Sequence, residues 1–145
     1  MPNSPAADIA QYLMTLGIAS TSTTSPLPLL RVGMEPDVEN KTLVTVYDIA
    51  SAGSNPRYQR DEPRIQIRSK AADEYGYAQA YSAQQQIKDN ILGMNRIDIN
   101  GTMYVGVWQV SDIASLASDT KNRPILVSTY RIVREYASPI RKPIE

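Results

Sequence analysis

Apolar and polar residues alternate along this chain with two different periods, and the switches between them divide it into elements. Ser4-Pro5 opens a helix, because the hydroxyl can cap free amides and proline at the first helical position gives up no hydrogen bond. Ile9, Tyr12, Leu13 and Leu16 follow at i, i+3, i+4 and i+7, and Gly17 can take the left-handed conformation that ends a helix. Residues 20–28 (STSTTSPLP) are polar and broken by proline, which makes them a loop too short to separate two domains. The period then shortens to two. Residues 29–34 and 43–50 read as strands on either side of an acidic turn at Pro36, and residues 64–71 alternate Ile65 and Ile67 with Arg64, Gln66 and Arg68. Between the last two strands, residues 51–63 (SAGSNPRYQRDEP) are rich in turn formers and charge. They are longer than a minimal hairpin connection, so the strands are expected to pair around a projecting loop with a functional role.

The helical period returns after Asp73, which can cap a second helix with Glu74 in its first turn. Tyr77, Tyr81, Gln84, Ile87, Lys88 and Ile91 lie at helical spacing and Gly93 closes it, while Gly76 predicts an irregular first turn. Asn100-Gly101 between residues 97–99 and 103–110 is the sharpest local signal, since a two-residue hairpin turn needs the positive φ angles that this pair supplies. Residues 111–124 are polar and read as a second projecting loop, with Ile113 and Leu116 packing part of it down. Residues 125–136 (ILVSTYRIVREY) form a long terminal strand, and residues 137–145 are a tail that cannot continue it. The pattern predicts an α+β fold, a mostly antiparallel sheet flanked by two helices, in a single domain over 1–145 with residues 1–30 as N-terminal helix and linker.

A chain of 145 residues with 42% apolar and 21% charged residues has an ordinary globular composition, which argues against disordered, fibrous and membrane classes. No stretch approaches the length of a membrane span, and the N-terminus lacks the charged and apolar regions of a leader, so the protein is expected to stay where it is made. Fifteen basic residues balance fifteen acidic ones, leaving no net field to draw the molecule to nucleic acid or an anionic surface. The charges are nonetheless unevenly spread. Residues 1–56 hold five acids against two bases and residues 121–145 six bases against two acids, a polarity arising by chance or from complementary surfaces on like subunits packed head to tail.

Cysteine and histidine are both absent, which removes disulfides, thiolate nucleophiles, the best transition-metal ligands and most hydrolase mechanisms. The seven glycines match neither a phosphate loop nor a dinucleotide fingerprint. The carboxylate pairs Asp61-Glu62 and Asp73-Glu74 fall at a loop and a helix start, where acids serve capping and solubility. No cofactor is implied. Arg57, Arg60, Arg64, Arg68 and Lys70, with Tyr58 among them, form one basic cluster. Asp61 and Glu62 interrupt it, so a solvated strand face or an ion-pair surface between subunits is favoured over phosphate binding. Nine tyrosines and no phenylalanine suit surfaces half-buried between proteins, and Tyr75, Tyr77 and Tyr81 are either an assembly face or the edge of the core. These residues point to a building block that works through protein contacts rather than an enzyme.

Residues 44–87 carry a further pattern: Tyr47-Asp48 ending a strand, Gly53 and Pro56 in a loop, then Pro63 through Arg68 as Pro-x-Ile-Gln-Ile-Arg leading into a helix, with a later polar segment from Asp119 to Arg123 ahead of the last strand. This arrangement resembles the tail terminator, or minor capsid, proteins of long-tailed bacteriophages, although residues 1–30 match that family's N-terminal pattern poorly. The resemblance implies a virion protein at the tail–neck junction, made in the host bacterial cytoplasm. It implies a homohexameric ring that caps the finished tail tube, stops tube-subunit addition and forms the joint to the head connector. Its implied partners are its own copies, the tail-tube protein and a connector or neck protein, with no membrane. Arg57, Tyr58, Arg60, Asp61, Arg64, Arg68, Arg123, Arg131 and Arg134 are the candidate ring, tube or connector contacts. Should Arg64 and Arg68 face the channel, they would meet passing genomic DNA without reading its sequence. Another neck or tail component, a head–tail connector or tube protein, is the alternative, and a nucleic-acid-binding module or enzyme a more distant one.

Overall fold

Proline at the first position and a serine before it start α1 (Pro5–Thr15) as the sequence predicts: the Ala7 amide donates to Ser4 Oγ at 3.1 Å. A long-range acceptor completes the cap, for the Ala6 amide donates to Asp48 Oδ1 at 3.0 Å. The computed structural model describes residues 3–37, 41–51 and 60–135. After α1 these form β1 (Leu29–Val32), β2 (Leu43–Ile49), β3 (Arg60–Asp61), β4 (Arg64–Lys70), α2 (Tyr77–Leu92), β5 (Asn95–Ile99), β6 (Thr102–Ser118) and β7 (Pro124–Glu135). The middle of the 51–63 loop, with Gly53, Pro56, Arg57 and Tyr58, and the tail 137–145 lie outside the described residues.

The strands join in one curled sheet of order β1-β2-β4-β7-β6-β5, with β3 pairing the far end of β7. Among the strands of the described residues only β1 and β2 pair in parallel, so the fold is α+β with a mostly antiparallel sheet and two helices, as expected. β2 and β4 pair from Leu43↔Lys70 to Ile49↔Arg64, the hairpin that the alternation predicts. β3 and β4 follow β7 as one broken line, interrupted where Pro63 has no amide to donate but its carbonyl accepts from Ile132 N at 2.8 Å. Both residues of the Asn100-Gly101 turn have positive φ, 53° and 81°, and Ile99 pairs directly with Thr102 across it.

Both helices cover one face of the sheet. Ala6, Ile9, Ala10 and Leu13 of α1 and Ala83, Ile87 and Ile91 of α2 close over Val44, Val46, Ile65, Ile67, Tyr104, Tyr130 and Ile132. Two of the nine tyrosines, Tyr104 and Tyr130, are therefore core residues. Buried polar groups fix how the helices sit. Gln84 Nε2 donates to the carbonyls of Ile67 (2.9 Å) and Leu126 (3.2 Å) on the adjacent strands β4 and β7, and its Oε1 accepts from Ser128 Oγ at 2.8 Å. At the other end Asp8 is buried and accepts from the Tyr104 hydroxyl and, at 3.1 Å, from Asn100 Nδ2, tying α1 to the β5–β6 hairpin. Burial, followed by that bond to Asp8, pushes the Tyr104 hydroxyl far above the ordinary phenol range, which keeps its proton available for donation.

Five expectations are corrected. Residues 111–118 are no loop: they continue β6 along β7 through pairs such as Ala114↔Val127 and Ala117↔Ile125, leaving only residues 119–123 as the turn. Register shifts between Gln109 and Ser111, Ser111 and Ala114, and Ser115 and Ala117 break the period-two alternation, which is why the strand does not show in the pattern. Among the described residues β6 has a ladder partner on one side only from Val107 onward, so polar and small side chains suffice there. Asp73 caps a turn rather than α2, its Oδ1 accepting from Tyr75 N at 2.9 Å, and the helix begins after Gly76. A Cβ on Gly76 would stand 3.1 Å from the Ala71 Cβ, so close approach selects glycine there. The buried stripe of α2 is Ala80, Ala83, Gln84, Ile87 and Ile91, with Tyr77, Tyr81 and Lys88 outside it. In α1, Leu16 faces out, and Gly33, with φ 74°, ends β1 after Val32.

If Gln84 holds α2 to both central strands, Gln84→Leu will destabilise the fold by on the order of 2 kcal/mol in urea unfolding, because buried acceptors and the Ser128 hydroxyl lose their partner. Adding Ser128→Ala should cost less than the sum of the two single changes; full additivity would show that the two groups are not coupled.

Candidate interaction surface

The sheet face turned away from the helices collects the cations that the sequence marks out. In β4 the odd-numbered residues Ile65, Ile67 and Ser69 enter the core, so Arg64, Gln66, Arg68 and Lys70 take the other face. Register then sets rows across four strands: Ile49, Arg64, Arg131 and Trp108 in one, Tyr47, Gln66, Thr129 and Ser111 in the next. The Arg131 guanidinium lies 5.1 Å from the centre of the Trp108 ring, and that of Arg68 lies 6.0 Å from the Tyr47 ring. Trp108 lies flat because Gly106, two residues back on the same face, has no side chain; a Cβ there would meet the indole at 3.2 Å. Even so, the indole side of this surface stays open, with Trp108 49% exposed.

Among the described residues, the acids ion-paired to this face gather at one end. Glu35 pairs with Arg68 at 3.2 Å, while Asp37 reaches Lys121 at 2.9 Å and Arg123 at 2.8 Å. Arg123, 5% exposed, also binds Asp119, through Nε and through its end nitrogen, both at 2.7 Å. The acidic front and basic back of the sequence thus meet inside one chain. Burial raises the Asp119 carboxyl, but hydrogen bonds from the Arg123 side chain and from the amides of Arg123 and Lys121 outweigh it and leave the group below its ordinary value. Hydrogen bonds from Lys121 and then Arg123 hold Asp37 at about 2.

At the opposite end, Arg64 and Arg131 sit directly across from each other on β4 and β7. Among the described residues neither has an ion-pair partner, and the Arg131 Nε is buried without a hydrogen bond. Arg64 also borders a cleft of about 180 Å³ that includes Asp48, Asp61, Glu62 and Arg134.

The candidate residues therefore divide by place. Arg64, Arg68 and Arg131 share the open face. Asp61 and Arg134 are buried beside the start of α1, 4.0 Å apart, with Arg134 donating to the Asn3 carbonyl at 2.8 Å. Arg123 is held in its cluster of acids, Arg60 is placed by its backbone pairing with Glu135, and Arg57 and Tyr58 lie outside the described residues. The sequence reading passed over Trp108, which strand alternation from Gly106 would have put on the same face as Arg131's partner row. A separate aromatic patch lies on the outer side of α2. Tyr77 and Tyr81 stack at 6.5 Å, and Tyr75 before them is 84% exposed. Among the described residues no group of three acids is placed to hold a metal ion, and no helix is long and apolar enough to cross a membrane.

What the molecule presents is contact chemistry: guanidinium groups beside aromatic rings on an uncovered sheet, the groups enriched where proteins meet proteins. Residues 12–136 match the family model described as bacteriophage tail terminator protein, and the chain belongs to that family. It is accordingly a structural protein of a phage tail and a virion component. Comparison with curated proteins gives no match.

Trp108 is the one tryptophan, so its fluorescence reports this surface directly. Gly106→Ala should shift its emission to longer wavelength by lifting the indole off the sheet, whereas an unchanged spectrum would show that the ring does not rest on Gly106. The Asp37 cluster has a pH signature. Its folded-state pKa of about 2 lies below the ordinary 3.8, so its contribution is complete above about pH 4 and is lost as the pH falls through about 2. Thermal melts across that window should show a shallower decline for Asp37→Asn than for the wild type, and the difference should shrink in high salt, since Asp37 is exposed.

Proposed function

We propose that this chain assembles as a homohexameric ring at the tail–neck junction. The ring caps the completed tail tube, ends addition of tube subunits and provides the joint to the head connector. The family match over residues 12–136 carries this reading. The open face supports it, since the described residues leave Arg64 and Arg131 without an ion-pair partner and Trp108 half exposed, where a ring or a tube would supply a second surface. On this reading Arg57, Tyr58, Arg60, Arg64, Arg68 and Arg131 make contacts to neighbouring subunits, the tail-tube protein or a neck protein. Asp61, Arg123 and Arg134 hold the elements that carry them. Arg64 and Arg68, where they border the channel, meet passing DNA through its phosphates alone.

The test is the mass of the purified protein, alone and after mixing with the matching tail-tube subunit, with tube length followed by electron microscopy. A hexamer in solution, or six-fold occupancy at tube ends, together with an end to tube growth, is the expected result. A monomer that leaves tube growth unchanged would overturn the reading.

A further inference from the structure

Two arginines facing each other on neighbouring strands raise a specific question, because like charges directly opposite in an antiparallel pair destabilise it unless something lies between or above them. Arg64 and Arg131 are half-buried and have no ion-pair partner among the described residues, although Asp48, Asp61 and Glu62 line the cleft beside Arg64, and Trp108 gives the Arg131 guanidinium a flat wall. Planar guanidinium groups beside an aromatic ring suit a carboxylate, which can accept two parallel hydrogen bonds. The same chain carries a matching group. Asp73, Glu74 and Tyr75 form an exposed knuckle between β4 and α2, and among the described residues Glu74 has no ion-pair partner. Most other acids near the sheet are already engaged: Asp8 with Tyr104, Glu35 with Arg68, Asp37 and Asp119 with Arg123, Asp48 with the α1 amide.

The knuckle follows the last residue of β4 and the arginines start at its first, so the two patches sit at opposite ends of one strand, about 20 Å apart at ~3.3 Å per residue. One chain cannot join them. We propose that the Arg64–Arg131–Trp108 row is the receptor for the Asp73-Glu74-Tyr75 knuckle of a second copy, with Glu74 seated between the two guanidinium groups. This rests on the reading of the chain as a ring subunit. It explains both features the isolated chain leaves open, the unneutralised arginine pair and an acidic turn that displays Tyr75 to solvent.

The experiment is a charge swap split between two proteins, with assembly read by native mass spectrometry and sedimentation, alone and on tail tubes. Glu74→Arg spoils the knuckle and keeps the receptor; Arg131→Glu spoils the receptor and keeps the knuckle. Each alone should lose the assembly that the wild type forms. Mixed in equal amounts they should regain it, because each contact in an alternating assembly then joins opposite charges. Arg131→Glu sets an acid opposite Arg64, so its thermal stability should equal or exceed that of the wild type, which separates lost assembly from lost folding. Three results overturn the proposal: single variants that assemble as the wild type does, a mixture that does not recover, or a wild type that never self-associates. Single variants that still assemble while Arg131→Glu loses a salt-sensitive affinity for duplex DNA would assign the arginines to phosphates instead. Whether tubes stop growing is a separate readout, so this contact can fail while the terminator reading stands.

Discussion

The register between β4 and β7 is the constraint on which the rest of the molecule depends. These strands lie at the centre of the sheet, and in the observed pairing Ile65 and Ile67 stand beside Tyr130 and Ser128 on the covered face while Arg64 stands beside Arg131 on the other. A slip of one residue would drive arginines into the core and isoleucines out of it. Hydrophobic alternation alone forbids that slip, and Gln84 makes the choice exact in position as well as in face, because its amide must reach one carbonyl on each strand and a hydroxyl on the second. A buried, satisfied polar group of this kind accepts one geometry where an apolar side chain accepts several.

Charge follows from the same register. With β4 fixed, Arg68 and Lys70 come within reach of Glu35 and Asp119, and the turn after β6 brings Arg123 and Lys121 to Asp37. The polarity of the linear sequence is largely neutralised within the chain at this end. At the Arg64 end it is not, and the difference between the two ends turns a uniformly basic strand face into a surface with a closed and an open part. The open part carries the one tryptophan, laid flat by Gly106. The Trp108 ring, and the Arg131 guanidinium beside it, have little side-chain freedom left to lose on contact.

Membership of the tail terminator family fits a design in which the fold supplies stability on one face and contact chemistry on the other. The family pattern in the sequence has physical reasons that are visible in the structure. Asp48 of the Tyr47-Asp48 pair caps α1, Tyr47 receives Arg68, and the polar segment from Asp119 to Arg123 is a turn held by Asp119's bonds to the amides of Lys121 and Arg123.

The sequence by itself determined the elements whose signals are local: the Ser4-Pro5 helix start, the Asn100-Gly101 hairpin, the alternation that splits β4 into an apolar and a basic face, and the α+β class that these imply. Each depends on residues within a few positions of one another. Tertiary structure alone decided the rest. Residues 111–118 became an edge strand because β7 offers a ladder, which no local pattern with three shifts of register can announce. Asp73 caps a turn of its own, and the boundary of α2 falls at Gly76, where Ala71 leaves little room for a Cβ. Arg123 and Arg131 have the same side chain and lie eight positions apart, yet one is enclosed by two acids and the other faces a second arginine. Their neighbours come from strands and turns far away in the chain, and only the folded sheet brings those neighbours to them.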